Sequence, residues 1–364
     1  MKYSLISILT LFFLSLASAN ATTKQEKLDW SPTFKQGINI SHWMAQHYPG
    51  KYADPYRFSE ADAKWIAKRG FDHVRIPVDG RILVSVEGNL IHELMEPFDE
   101  ALDWARKYEL GVILDMHFMP GAHFLASAEE NKLWADKSLQ ATVKHMWSQI
   151  AEKYLNVGEF LRYEVLNEAV APTSDMVNDL NKMIVDAVRK VDADRIIYVS
   201  SNQQGSFDLA EEVYVFKNDP NVHYAFHTYD PLLFTHQHAA WSKHTKFYDK
   251  DVEFPFKKTD LDKYFPKNWE DLAYNNRLID EKFIDEKFDK LGNWSRRNNV
   301  TVLITEFGVI NAADDPSTER FLRAIKNASE RNNFGWTIWD YKGDFAVRQD
   351  GKPTAVWRGL FKKK

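Results

Sequence analysis

Short apolar runs recur along the chain, and longer segments separate them in which apolar residues return every three or four positions. The short runs are typical of buried strands, and the longer spacing is typical of amphipathic helices. Eight runs have the strand pattern: residues 37–40, 73–76, 112–115, 163–166, 196–199, 223–226, 302–305 and 335–338. Eight alternating units predict an α/β fold, a single closed (β/α)8 TIM barrel, rather than an open sheet.

The predicted helices carry start and stop signals of their own. Ser59 and Asp62 can cap a helix that ends at Gly70, and Pro97 can open the next one. Further amphipathic segments span residues 141–154, 176–191, 278–294 and 318–331. Neither a glycine-rich dinucleotide turn nor a P-loop pattern occurs, which argues against a doubly wound nucleotide-binding sheet.

The first residues have the pattern of an export signal. Lys2 precedes an almost wholly apolar run, residues 5–16, and Ala-Ser-Ala at 17–19 resembles a cleavage site. We expect residues 1–19 to be a signal peptide, 20–30 a flexible lead-in and 31–364 one barrel domain. An uncleaved anchor is the alternative, although the run is short for a membrane span. Without a cysteine for lipid attachment, the expected location is extracellular or periplasmic.

Composition narrows the possible functions. The 364 residues include no cysteine, which excludes disulfides, zinc–thiolate sites and cysteine nucleophiles. A net charge of −5 gives no basic surface for nucleic acid, so we expect no nucleic-acid partner. We also expect a monomer. The 12 Trp, 15 Tyr and 24 Phe residues either fill the core or, in part, stack against sugar rings.

Polar and aromatic residues recur at the carboxyl ends of the predicted strands, where a barrel carries its active site. Any single one could make only a structural hydrogen bond, but the ordered set predicts a functional site. Along the chain they are His42, Trp43, Arg75, His117, Asn167, Glu168, His227, Tyr229, Glu306 and Trp339.

Two of these residues are glutamates on strands that face each other across the barrel. Glu168 follows strand 4 and Glu306 follows strand 7. Paired carboxylates of this kind suit glycoside hydrolysis, in which one protonates the leaving oxygen and the other attacks the sugar or activates water. The sequence spacing alone leaves retention and inversion of configuration both open.

The same residues resemble the signatures of glycoside hydrolase family 5, the cellulase family. Asn167-Glu168 after one apolar strand and Ile-Thr-Glu-Phe-Gly at 304–308 after another look like its two catalytic motifs. The resemblance covers nearly the whole chain, because the other landmarks fall in order: Arg75, His117, residues 191–197 before strand 5, His227, Tyr229 and Trp339.

The resemblance implies a retaining enzyme with Glu306 as nucleophile and Glu168 as acid/base. The remaining residues would keep the nucleophile ionised, bind sugar hydroxyls or form the floor and walls of the cleft: Arg75, Tyr229, Asn167, His117, His227, Trp339, His42 and Trp43. No cofactor and no metal ion are expected, and the partner is a polysaccharide or oligosaccharide substrate.

Several features bear on the substrate. Our leading prediction is an endo-β-1,4-glucanase, with an exo- or endo-β-1,3-glucanase or a β-mannanase as alternatives. Pro120-Gly121 after strand 3 resembles the β-1,3-glucan side of the family, and Ala169 stands where many relatives have proline. The aromatic-rich loop 230–276 after strand 6 either packs on itself or walls the cleft.

Two functions of other classes compete with this prediction. A metal-dependent barrel hydrolase would need His42, His117 and His227 to converge on an ion. A non-catalytic carbohydrate-binding barrel would not need both glutamates.

Overall fold

The computed structural model describes residues 30–46, 56–242, 245–246, 248–261 and 277–362. The predicted signal peptide and nearly all of the predicted lead-in lie outside these residues. Five aromatic residues of the 230–276 loop also lie outside them, namely Phe247, Tyr264, Phe265, Trp269 and Tyr274.

Eight parallel strands form a closed barrel in sequence order, which confirms the predicted fold. The first strand pairs with both the second and the last, since Ile38 is in register with Val74 and with Ile338. The strands are β1 Gln36–Asn39, β2 His73–Asp79, β3 Gly111–Phe118, β4 Leu161–Glu164, β5 Ile197–Ser200, β6 Val222–His227, β7 Val302–Glu306 and β8 Gly335–Ile338.

Helices follow most strands. Within the described residues the longer ones are α1 Glu60–Lys68, α2 Glu96–Lys107, α3 Lys137–Lys153, α4 Ser174–Arg189, α5 Glu281–Asn298, α6 Asp315–Arg331 and α7 Ala355–Phe361. Short helices and 3-10 turns lie in the connections, at Gly80–Leu83, His92–Met95, Lys132–Trp134, Phe207–Glu212, Leu232–Thr235 and Lys258–Leu261. None of the helices in the described ranges combines the length and the hydropathy that a bilayer crossing requires.

The differences from the predicted helices have local causes. Ser59 caps α1 as predicted, accepting from the Asp62 amide. Helix α3 begins earlier than the apolar pattern indicates, because Asp136 caps it. Helix α5 begins later than residue 278, because Leu278–Ile279 pairs with Phe256–Lys257 in a short antiparallel sheet. A second short sheet joins Arg348–Gln349 to Lys352–Pro353.

An apolar cluster fills much of the barrel interior at its amino-terminal end, and the other end is polar. Phe34 lies below the strands and packs with Ile113, Tyr198 and Leu303. Gly111 leaves room for this ring, since a Cβ there would lie 2.5 Å from Phe34. The fully buried carboxylates of the barrel lie toward the carboxyl ends of its strands.

The loop after β6 is held largely by its own aromatic residues, as one of the two interpretations of this loop expected. Phe234 and Phe254 are buried and pack on Phe321 of α6. Tyr248 is buried as well, whereas Trp241 is 57% exposed. Packing on each other and on α6 accounts for Phe234 and Phe254, and whether the loop also walls the cleft stays a prediction.

Candidate active site

Arg75 is the centre of the polar end of the barrel. It lies on β2, is fully buried, and donates to both carboxylate oxygens of Glu164, at 2.7 and 2.9 Å. It also donates to Glu306 at 2.7 Å and to the side-chain oxygens of Asn39 at 2.9 Å and Asn167 at 2.8 Å. One guanidinium thus fixes groups from the ends of three strands, β1, β4 and β7.

Asp115 and His117 on β3 complete this buried network. The Asp115 carboxylate lies 3.1 Å from the Arg75 guanidinium and 2.8 Å from Nδ1 of His117. Burial raises the pKa of Asp115, although the positive charge of Arg75 opposes the shift. For Glu164 burial is the largest single influence and acts in the same direction, but Arg75 and His227 together outweigh it and lower the pKa to about 2.

Glu306 is the last residue of β7 and is held as a carboxylate. Besides Arg75, the hydroxyl of Tyr229 donates to it at 3.0 Å. Burial would raise the pKa of Glu306, but the positive charges of His227 and Arg75 outweigh burial and lower it. Burial and the charge of Glu306 raise the pKa of Tyr229, so this hydroxyl keeps its proton and remains a donor.

Glu168 lies on the turn that follows β4, opposite Glu306. Its carboxylate is 2.9 Å from Nδ1 of His227. The φ angle of Glu168 is 30°, in the left-handed region, which costs a non-glycine residue about 1–3 kcal/mol and is typical of active sites.

His227 connects the carboxylates. Its ring lies 3.7 Å from Glu306 and 3.8 Å from Glu164 as well as beside Glu168. Burial opposes a charge on this ring, but Glu306 and the bonds to Glu164 and Glu168 raise its pKa to about 10. At neutral pH the imidazole is therefore a cation among three acidic side chains.

The separation of Glu168 and Glu306 bears on stereochemistry. One carboxylate oxygen from each lies within 4.8 Å of the other. Retaining glycosidases have carboxyl groups about 5–5.5 Å apart, whereas inverting enzymes need about 6.5–9.5 Å to admit a water molecule. A closest approach of the oxygens within 4.8 Å agrees better with the retaining separation than with the inverting one.

The same three side chains are also the group in the described residues that could meet around a metal ion: Glu168, His227 and Glu306. A protonated imidazole cannot ligate, because metal ligands must be deprotonated, so the raised pKa of His227 disfavours this use of the site. His42 and His117 are not part of the group, so the three histidines of the metal-hydrolase alternative do not converge here.

Trp339 follows β8 and flanks the carboxylates. Its indole stacks on His117, with ring centroids 5.6 Å apart and planes 8° from parallel. His42 meets the edge of the same indole at 6.4 Å. His42 lies 3.8 Å from Asp340, a buried carboxyl whose pKa burial raises to about 7. Trp43 instead packs on Phe58 in the main core, and its role in the cleft stays a prediction.

The structure adds residues to which the sequence analysis assigned no role. Asp115, Glu164 and Asn39 all bind Arg75, yet each lies within a run that was interpreted only as a strand. A signal was present, because a charged residue inside an otherwise apolar, fully buried strand needs a charged partner. Its partner, however, lies on another strand, so the pairing is visible only in three dimensions.

The comparisons with known proteins agree with this geometry. Residues 33–344 match the cellulase family, glycosyl hydrolase family 5. Endoglucanase C of Acetivibrio thermocellus is 31% identical over 332 residues, which cover 89% of this chain and 96% of that protein. Cel5A of Thermotoga maritima in complex with cellobiose has 23% identity and a TM-score of 0.73, covering 90% of this chain and 97% of that chain.

A second structure of Cel5A, in complex with mannotriose, gives the same TM-score at 22% identity, again covering 90% of this chain and 97% of that one. These two likenesses show the barrel fold. The family match spans most of the chain, and the relative from Acetivibrio aligns along nearly its whole length. The chain therefore belongs to glycoside hydrolase family 5, the cellulase family, and is a glycosidase.

Proposed function

We propose that the protein is an endo-β-1,4-glucanase that acts with net retention of configuration. The observation that carries the proposal is the pair of carboxylates, Glu168 and Glu306, whose oxygens lie within 4.8 Å of each other at the mouth of the barrel. The likeness to a protein named endoglucanase supports the substrate class.

In the first step an oxygen of Glu306 attacks the anomeric carbon while the glycosidic bond breaks. Glu168 gives its proton to the departing oxygen, so the leaving glycan departs as an alcohol. The lowered pKa of Glu306 keeps the nucleophile ionised, and Arg75 and Tyr229 orient it. In the second step water attacks the same carbon, Glu168 takes the water proton, and Glu306 is released.

The supporting residues have contacts that suit this sequence of steps. Asn167 accepts from Arg75 and has an unpaired amide nitrogen, a donor suited to the 2-hydroxyl of the sugar. Nε2 of His117 is likewise buried without a partner and can meet a hydroxyl. The indole of Trp339, fixed against His117, forms the floor under the sugar. The role of His227 is to hold Glu168 and to supply positive charge beside Glu306.

We place further sugar units of a long substrate in a polar cavity of about 660 Å³ beside the segment that follows β8. Tyr56, Asn311, Lys342 and Arg348 are among the residues that line it. Tyr56 touches His42, which touches Trp339, so the cavity adjoins the proposed floor of the cleft. Its volume lies in the range of sites that bind drug-sized ligands.

Hydrolysis of a polysaccharide panel tests the substrate. We expect the highest kcat/KM on β-1,4-glucan, with internal cleavage seen as a rapid fall in viscosity. Preference for β-1,3-glucan or β-mannan would replace our substrate assignment with one of the two alternatives. Binding of glycans without any hydrolysis would support the non-catalytic barrel instead.

Product configuration tests the mechanism. NMR of the first anomer released should show the β product, and an α product would exclude retention. Glu168→Ala and Glu306→Ala should each lose several orders of magnitude on polysaccharide. With an activated aryl glycoside and azide, Glu168→Ala should give the β-glycosyl azide, whereas Glu306→Ala can give only the α azide. The reverse pattern would exchange the two roles.

We also propose that residues 1–19 direct export and that residues 31–364 form one catalytic domain. Export would bring the enzyme to its polysaccharide substrate, outside the cell or in a periplasm. Amino-terminal sequencing of the exported protein tests the boundary, with Asn20 expected as the first residue.

A further inference from the structure

The turn that carries Glu168 is strained and must be held by its surroundings. The φ angle of Glu168 is 30°, and two further non-glycine residues with left-handed φ, Gln203 at 50° and Gln204 at 62°, lie beside this turn. The two segments touch directly, because the Gln204 amide donates to the Ala169 carbonyl at 3.0 Å. Strained conformations of this kind persist only where neighbouring contacts fix them.

Asn202, at the end of β5, provides such contacts on one side. Its side-chain oxygen accepts from the Ala171 amide at 2.9 Å, and its side-chain nitrogen donates to the Ala171 carbonyl at 2.9 Å. The same oxygen accepts from the Gln203 amide at 2.8 Å. Asn202 is buried, so these bonds are shielded from water.

The turn is anchored from the opposite side by the connection after β3. The indole nitrogen of Trp134 donates to the Val170 carbonyl at 2.7 Å, and the side-chain nitrogen of Asn131 donates to the same carbonyl at 3.1 Å. Consecutive peptide groups after Glu168 are thus fixed by side chains from two different loops.

The segment 202–206 also contacts His227, the partner of the Glu168 carboxylate. Ser206 forms a backbone bridge with His227, and a Cβ on Gly205 would lie 3.4 Å from the His227 ring. One segment therefore touches both the turn of Glu168 and the imidazole that lies 2.9 Å from its carboxylate.

We propose that Asn202 and Trp134 form a turn clamp that positions Glu168 for proton transfer. This inference rests on the proposed role of Glu168 as acid/base. Neither residue transfers a proton; Trp134 acts through the backbone of Val170 and Asn202 through that of Ala171. The clamp holds the carboxylate beside His227, where it faces Glu306 across the scissile bond.

The test compares two aryl β-glycosides that differ only in the leaving group. Both carry the same disaccharide, which is cellobiose if the proposed function is right. One leaving group needs a proton and the other, dinitrophenolate, does not. Asn202→Ala should lower kcat/KM by about 10²-fold on the first and by less than about threefold on the second. Trp134→Phe, which keeps the ring and leaves Asn131 on Val170, should show the same pattern with a smaller loss.

Asn178→Ala is the matched control. Asn178 binds backbone in the same two-bond manner, donating to the Glu212 carbonyl at 2.8 Å and accepting from the Tyr214 amide at 2.9 Å. Asn178 lies on α4, away from Glu168 and Glu306. Asn178→Ala should therefore lower the thermal stability, and any change in kcat/KM should be equal on the two substrates.

Glu168→Ala, measured in parallel, separates this inference from the proposed function. If Glu168→Ala shows no leaving-group dependence, the acid/base assignment itself fails. A second outcome would refute the clamp alone: Glu168→Ala depends on the leaving group, but Trp134→Phe and a folded Asn202→Ala do not. Those two variants would then lose activity equally on both substrates or lose none, and the assignment of Glu168 would stand.

Discussion

Two arginines, Arg75 and Arg195, are buried at opposite ends of the barrel and are bound in opposite ways. Arg75 donates to side chains only, and three of those within reach are carboxylates. Arg195 precedes β5 and has one carboxylate partner, Asp192, at 3.0 Å. Its other hydrogen bonds, 2.8–3.1 Å long, go to the backbone carbonyls of Tyr154, Val157, Gly158 and Leu161.

The two sets of partners suit Arg195 to stabilising the fold and Arg75 to the chemistry of the site. Carbonyls do not ionise, so the four hydrogen bonds that tie Arg195 to the connection between α3 and β4 do not depend on the protonation of their acceptors. The partners of Arg75 do ionise, and their pKa values depend on one another and on His227. This division agrees with the rule that the amino-terminal face of a (β/α)8 barrel serves stability and the carboxyl-terminal face serves catalysis.

The same substitution at both positions gives the largest expected effect. Arg75→Lys should lower kcat by about 10²–10³-fold, because the lysine ammonium cannot orient Glu306 and Asn167 together. Arg195→Lys should leave kcat nearly unchanged and lower the free energy of unfolding by roughly 2–4 kcal/mol, because at least two buried carbonyls lose their donor. Kinetics and urea unfolding of both variants check the pair. Equal losses of kcat in the two folded variants would contradict the division.

Glu164→Gln tests whether the partners of Arg75 make the stability of the protein depend on pH. Glu164 has a folded pKa of about 2, below its ordinary value of 4.5. Its ionised form therefore stabilises the fold above about pH 4.5, and this stabilisation is lost as the pH falls toward 2. Glu164→Gln should lower the free energy of unfolding at pH 7 by roughly 3–5 kcal/mol and flatten its dependence on pH below 4.5.

The catalytic pH profile of the same variant should also change. The negative charge of Glu164 raises the pKa of Glu306, so its removal should lower that pKa. Because Glu306 must be ionised to attack, the acidic limb of kcat/KM should move to lower pH. Asp192→Asn at the other end of the barrel is the control and should destabilise the protein without moving this limb. A limb that stays in place in Glu164→Gln would show that Glu164 is only structural.

Much of the fold and part of the site could be predicted from the sequence. The alternation of apolar runs and amphipathic segments determines the barrel, and Arg75 and Glu306 stand out because they are polar at strand ends. Strand β4 was predicted two residues late, since the apolar run continues past Glu164, where the pairing with β3 ends. The φ angle of Glu168 could not be predicted, because the residues that fix its turn lie more than 30 positions away in the chain.

One exposed aromatic residue at each end of the barrel allows the same comparison at the surface. Of the predictions made here, substitution of these residues should have the smallest effect on the kinetic constants. Trp241 is 57% exposed in the loop after β6, at the catalytic end. Its indole meets the edge of His236 at 5.3 Å, and His236 packs on Tyr229, the donor to Glu306. Tyr214, which is 46% exposed, lies in the connection that leads into β6, at the opposite end.

We expect Trp241 to stack on a sugar ring of a long substrate, because an exposed indole offers a flat apolar face at the edge of the cleft. Trp241→Ala should raise KM for the polysaccharide by roughly three- to tenfold, the equivalent of about 0.5–1.5 kcal/mol, and leave kcat on a short aryl glycoside unchanged. Tyr214→Ala should change neither constant. If Trp241→Ala behaves like Tyr214→Ala, the loop after β6 serves only to pack on the barrel, and exposed aromatics do not distinguish its two ends.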